Sequence, residues 1–570
     1  MANTKSISRR EFLKGSAAGA LGVAAMGLLG ACADTSTTPT ATPTPTPETV
    51  EPASDVPAWL GVEPETGAVA ETIETEVLVI GSGTAGWPAA LTAAENGAKV
   101  LMIERYGYLN TPKDDIGAIN SKLQQETEKE FPYLAIDKMQ LLKDAVRYAN
   151  GYVDSDLIKL WMDESGEAVD WYTSVLERKG DFKMWHEGGI GNYNGGGRDA
   201  AYATGHSPQQ LGERDKATVL REYGEELGVE FMLETTLVKL VKTDGRVTGI
   251  IAESKEKGTI QINASKGVIV CTGGYTGNAE MLKALQPETV RVSATGIALT
   301  SADNGSGIKA ALWAGADMDQ VHGTCSFNRA AVDPKTGKGG DKGQWYWFGE
   351  QPFMKVNLNG VRFCNESGPY DYMLHSTSMQ PGSVYCHIYD ANAKAHAEQM
   401  QMVGCCRLFP FDNGAPMNIP FDAVWGGMNQ GLIDSGHIVV ADTLEELAEG
   451  LNIPVEPFLE QVKRYNTYAA TGVDEEYGKV AYRITPIDTA PFYGVRTCAW
   501  LLSTLDGIRI NKNMNAIDAD HNPIPGLYVC GDASGGFFGN TYFNLVTGMA
   551  AGRSVTFGRR AGRIAATEAL

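Results

Sequence analysis

A chain of 570 residues, 43% of them apolar, has enough material for two to four domains, and nothing after residue 31 is long and apolar enough to span a bilayer. A formal charge of −21 excludes nucleic acid and anionic membrane surfaces as natural partners. The nine cysteines form no C-x-x-C, which removes cluster and haem-attachment motifs, and no metal-ligand set is read.

Residues 1–32 read as an address. Ser8-Arg9-Arg10-Glu11-Phe12-Leu13-Lys14 is a twin-arginine pattern, and Leu29-Gly30-Ala31-Cys32 resembles a lipobox ending at a cysteine that becomes the lipidated N-terminus. Cleavage there takes the charge from −21 to −24. Residues 33–70 open with a Thr/Pro-rich run that reads as an extended tether. The location expected is the extracytoplasmic face of the membrane, with contact only through the lipid.

From Glu76 the chain changes character. Val77 to Ile80 reads as a buried parallel strand, and Gly81, Ser82, Gly83, Ala85 and Gly86 form a G-x-G-x-x-G turn into an Ala-rich helix. A second strand, Lys99 to Ile103, ends at Glu104, 21 residues after Gly83. The glycines let backbone approach a pyrophosphate at a helix N-terminus, and the acid is placed for a ribose hydroxyl. The unit reads as a dinucleotide site.

A loop with Gly117 to Asn120 leads into a helical region from about Leu123 to Gly180, with Asp154 as a cap. The Trp185–His206 segment, with Tyr193, Tyr202 and Gly195 to Gly197, reads as a loop. A helix over 216–228 precedes strands at 229–233, 236–242 and 247–254, the last two joined by Asp244-Gly245. Lys266 to Gly274 is a buried strand with a Gly-rich end. Composition shifts near residue 319, towards clustered aromatics and a late helical pair with a capping box at Thr443 and Glu446. Strand pattern returns after Arg483. The division expected is 71–318 and 483–570 for a discontinuous cofactor domain and 319–482 for an inserted capping domain, an α/β Rossmann-type arrangement with an α+β insert.

Together these segments resemble the flavoproteins of the fumarate reductase, succinate dehydrogenase and 3-ketosteroid dehydrogenase superfamily. The motifs are Gly81–Gly86 with Glu104, Cys271–Asn278, Ala302–Gly307, Gly360–Glu366 and Gly526–Asp532. The resemblance implies FAD, held by the residues already named and by Asn120, Thr272, Gly273, Gly274, Asn278, Asp303, Gly531 and Asp532. No histidine stands near residues 110–120, so the FAD is expected to be non-covalent.

Carried over residue by residue, the fumarate site is incomplete. His322 matches a carboxylate-binding histidine, but Ser503, Tyr542 and Pro369 stand where cationic groups are expected, and Lys394 aligns loosely with the cap arginine. Dicarboxylate in such a site would lose its counter-charges. Asn365 to Tyr370 and Gly539 to Tyr542 instead resemble 3-ketosteroid dehydrogenase motifs, which implies proton exchange by Tyr370 and carbonyl binding by Tyr542; Glu366 reads as a relay or a core ion pair. The activity expected is reduction of an α,β-unsaturated carbonyl in anaerobic respiration, with electrons from a membrane-linked cytochrome c or quinol-derived donor. The alternatives are the desaturating direction, an unsaturated carboxylate reductase of fumarate, urocanate or acrylate type, and a non-catalytic electron-shuttle lipoprotein.

Overall fold

The computed structural model describes residues 56–187, 202–295, 303–400, 408–409 and 419–567. Arg9, Arg10, Cys32, most of the tether, Tyr193, Gly195 to Gly197, Ala302, Cys405 and Cys406 lie outside them.

The first sheet starts with β1 (Glu71–Ile80), followed by helix α1 (Gly86–Glu95) and β2 (Val100–Ile103). β1 and β2 pair in parallel, Val77 opposite Val100 and Ile80 opposite Ile103. Val77 to Val79 are fully buried, each contributing about 1.5–3 kcal/mol of transfer free energy. That two-sided burial is why the run is continuous rather than alternating. After α2 (Ser155–Glu177), capped by Asp154, come β3 (Glu230–Met232), the hairpin β4 (Thr235–Thr243) and β5 (Arg246–Ser254), and β6 (Gly258–Val270). Asp244 and Gly245 both have positive φ, as the short hairpin turn requires.

The second sheet is built on β7 (Thr324–Ala331), β8 (Met354–Val356), β9 (Tyr385–Tyr389), β10 (Ile438–Ala441) and β11 (Phe492–Thr504), with helix α3 (Tyr370–Ser378) packed against it. β11 lies between β7 and β9. It belongs to the stretch that the sequence division gives to the cofactor part, but its pairing is entirely within this second sheet and only its end reaches the first. β12 (Asn515–Ile517) and β13 (Pro523–Val529) then complete the eight-stranded first sheet, in the order β12-β13-β6-β1-β2-β3, with β5 and β4 extending from β6. The parallel core with a separate, mostly antiparallel sheet is the α/β arrangement expected.

The last helix, α4 (Met549–Thr567), crosses α1 at a glycine face. A Cβ on Gly558 would stand 2.2 Å from the Ala85 carbonyl oxygen, and one on Gly562 2.2 Å from that of Ala89. Only glycine permits so close a crossing. The Trp185–His206 loop reading needs correction at its ends. Phe182–His186 and Gly205–Gln210 are paired strands of a small sheet with Ile116–Gly117, and alternate residues of Phe182–His186 are buried. The described cysteines are thiols, and all but Cys364 are buried.

Candidate active site

The turn after β1 folds against the end of β6. A Cβ on Gly81 would meet the Cys271 carbonyl oxygen at 2.6 Å, and one on Gly86 the Gly81 carbonyl oxygen at 1.9 Å. At Gly83 the added atom meets nothing within 4 Å, because that position faces the groove. α1 carries no side-chain cap, and its first two N–H groups, of Gly86 and Trp87, close onto the Gly83 carbonyl at 3.1 and 3.3 Å, so it is the glycine turn itself that lies against the groove. Glu104 is buried and oriented. Its Oε2 accepts from the Ser82 N–H at 3.0 Å, the Ser82 hydroxyl at 2.8 Å and the Asn110 amide at 2.8 Å.

A groove of about 320 Å³ runs from this turn past Glu104 and Arg105, Thr272 and Gly273, and Gly531 and Asp532 to Leu502 and Ser503. The hydroxyl of Thr272 is buried without a protein partner. Lys113 reaches Asp532 at 3.4 Å, and Arg553 reaches it from below at 3.2 Å. A glycine turn facing the groove, a buried acid at its edge, an orphaned hydroxyl and a lysine across the groove suit a dinucleotide. Burial, with Asp532 nearby, pushes Asp303 up to about 6. Three of the expected contacts have other work. Asn278 caps the Ala279–Leu285 helix and bonds the Asn304 carbonyl, Gly274 lies against Thr504, and Asn120 forms the left-handed turn before Lys122–Glu130. Lys113, Arg105 and Arg553 are additions that no sequence motif marks.

A second cavity, of about 210 Å³, opens beside α3, whose first residue is Tyr370. Asn328, Glu350, Lys355, Glu366, Tyr370 and Arg483 line it. β7 carries Asn328 and pairs with β11, whose Leu502 and Ser503 line the cofactor groove, so one strand pair joins the two spaces. Tyr370 packs edge-on against Phe327, and Glu350, whose Oε1 is buried without a hydrogen-bond partner, lines the same cavity. Glu350 is paired with Arg329, whose guanidinium lies 4.3 Å over the Trp347 ring. Burial raises the Glu350 pKa against the pull of Arg329. At Glu366 burial also opposes ionisation, but Lys479 and a bidentate Arg362 (2.7 and 2.8 Å) outweigh it and hold the pKa below the usual range.

Tyr542 is buried and lines neither cavity. Its backbone N–H donates to Asp371, the neighbour of Tyr370, at 2.5 Å. His322 lies in a third cavity with Asp371, His375 and Asn540; its Nδ1 is 2.7 Å from Asp506, a bond that raises the histidine's pKa. Lys394 is not brought to any of these spaces. Its ammonium is exposed and paired with Asp422 at 2.7 Å. Glu350, Lys355, Arg483 and Asp371 are the cavity residues that sequence reasoning passed over.

Residues 76–543 match the model of the FAD binding domain family. The chain belongs to that family. FAD is its cofactor, and it is an FAD-dependent oxidoreductase of the class acting on C=C and CH–CH bonds. This flavoprotein is 26% identical over 502 residues to a vinyl phenol reductase of Lactiplantibacillus plantarum, covering 86% of this chain and 96% of the relative. It is also 26% identical to a probable fumarate reductase of Shewanella frigidimarina, covering 87% and 75%. The flavoprotein's fold matches a 3-ketosteroid Δ4-(5α)-dehydrogenase structure from Rhodococcus jostii RHA1 with TM-score 0.64 at 23% identity, over 87% of this chain and 97% of that one.

Proposed function

We propose that this flavoprotein reduces the C=C bond of an α,β-unsaturated carbonyl compound, with Tyr370 as proton donor. The observation that carries this reading is the placement of Tyr370: a buried phenol at the wall of a cavity, joined by β7 and β11 to the cofactor groove. Bound FAD supplies a hydride equivalent to the β-carbon. Tyr370 gives its hydroxyl proton to the α-carbon; Tyr542 lines neither cavity, and takes the carbonyl oxygen only by turning its ring from the loop that Asp371 ties to the same helix. The vinyl phenol reductase and the probable fumarate reductase among its relatives support reduction of a C=C bond. A panel of unsaturated ketones and acids, offered as oxidants of enzyme reduced with methyl viologen, tests it. Oxidation by enones supports the reading, and reduction of the enzyme by saturated ketones alone reverses its direction.

A second reading, an unsaturated carboxylic acid as substrate, is favoured by one feature. The Asp506 bond keeps His322 protonated to higher pH, which suits a carboxylate ligand. Preference for acids over ketones in the same panel would select it.

The address and the electron source are part of the same proposal: twin-arginine export, a lipid at Cys32, and electrons from a membrane-linked cytochrome or quinol-derived carrier in anaerobic respiration. The support is the Arg9-Arg10 pattern before Cys32. Arg9→Lys with Arg10→Lys should retain protein in the cytoplasm, and Cys32→Ser should free it from the membrane fraction; unchanged fractionation in both removes this part.

A further inference from the structure

Each reduction leaves Tyr370 without its proton, and two carboxylates line the cavity from which that proton could be restored. Their surroundings differ in kind. Glu366 is fully buried, its two oxygens are held by the Nε and Nη2 of Arg362, and Lys479 adds a second cation at 3.5 Å. Arg362 continues to Asp474 at 2.9 Å and to Glu476 at 3.2 Å. Protonating Glu366 would unbalance this whole array of buried charge. Glu350 has a single ion-pair partner, Arg329, whose charge is spread against aromatic rings; its Oε1 is left without a hydrogen-bond partner, and it lines the same cavity as Tyr370.

We propose that Glu350, and not Glu366, is the positioning residue that returns a proton to Tyr370, while Glu366 remains the fixed counter-charge of Arg362 and Lys479. The inference rests on Tyr370 being the proton donor. In each turnover the Tyr370 O–H bond breaks as its proton forms the new α-C–H bond. The phenolate oxygen then takes a proton from the Glu350 carboxyl, and Glu350 is reloaded from water in the cavity, so one solvent proton enters for each hydride delivered. The directions of the two pKa values agree with the division: Glu350 is raised and able to hold a proton, whereas Glu366 is lowered and is not.

The direct test needs no substrate. In FAD-loaded protein labelled with 13Cζ-tyrosine, the Tyr370 resonance is the one missing from Tyr370→Phe. It should shift with pH at a midpoint above the ordinary carboxylate value, and this titration should vanish in Glu350→Gln and persist in Glu366→Gln. Persistence in Glu350→Gln, or loss in Glu366→Gln, overturns the proposal. Glu350→Asp keeps the counter-charge of Arg329 and guards against loss of folding. With the best acceptor of the panel, its first turnover from pre-reduced enzyme should be close to that of the unmodified protein, since Tyr370 starts protonated. Later turnovers should be slower by roughly 10-fold or more. Equal slowing of both phases, or of neither, also overturns it. Full activity in Tyr370→Phe would instead strike the donor reading itself, a separate result.

Discussion

The carboxylate of Asp371 accepts the backbone N–H of Tyr542 at 2.5 Å. Asp371 follows Tyr370 on α3, so one hydrogen bond fastens the helix bearing the proposed proton donor to the loop bearing the proposed carbonyl ligand. The carboxyl is buried, and burial pushes its pKa up to about 8, against the pull of the Tyr542 N–H. The folded protein therefore holds this proton more tightly than the unfolded chain does. Stability from this group is complete below the unfolded carboxylate pKa near 4 and is lost as pH rises towards 8.

Asp371→Asn keeps an acceptor for Tyr542 and removes the ionisation. Thermal unfolding measured from pH 4 to 9 should show the unmodified protein losing several kcal/mol relative to the variant across that window. Parallel pH profiles for the two proteins would show that the carboxyl is not buried as described.

Two glycine substitutions should separate folding from cofactor binding. Gly83→Val places its side chain in the open groove, so the protein should fold with a normal melting temperature and bind no flavin, read from the visible spectrum. Gly86→Ala collides with the Gly81 carbonyl and should lower both flavin content and melting temperature.

Acid precipitation of the holoprotein should release FAD into the supernatant, since no histidine stands near residues 110–120 to link it. Flavin left on the pellet would show a covalent bond.

Glu366→Gln leaves Arg362 and Lys479 short of their shared counter-charge. A loss of about 3–5 kcal/mol of unfolding free energy is expected, measured by denaturant titration. An unchanged midpoint would show that the ion pairs are relayed rather than fixed.

Tyr370→Phe should lower kcat by about 10²-fold, and Tyr542→Phe by about 10²–10³-fold, with flavin content and the donor half-reaction unchanged in both. Stopped-flow measurement of the two half-reactions checks this.

The cofactor groove was legible because its chemistry is local. Gly81 to Gly86 and Glu104 belong to one strand–helix–strand unit, and spacing alone carries the geometry. The second cavity was legible only at Tyr370 and Glu366. Glu350 and Lys355 come from the segment before a motif, Arg483 from far beyond it, and Asp371 looks like any acid in the first turn of a helix until its partner on a distant loop is known. Lys394 shows the converse. An alignment could place it in register, but its charge is engaged by Asp422 at the surface. β11 was assigned by its position in the chain, whereas strand pairing depends on which sheet offers an unmatched edge.

The close crossing of α4 over α1 has a bearing on how the holoprotein is made. The helix whose N-terminus faces the groove is backed by residues 549–567, and Arg553 on that same helix completes the charge around Asp532. The strand, turn and helix of residues 71–95 leave the ribosome long before residues 549–567 do, so a nascent chain that has already made its glycine turn still lacks the helix that backs it and the Arg553 charge beside Asp532.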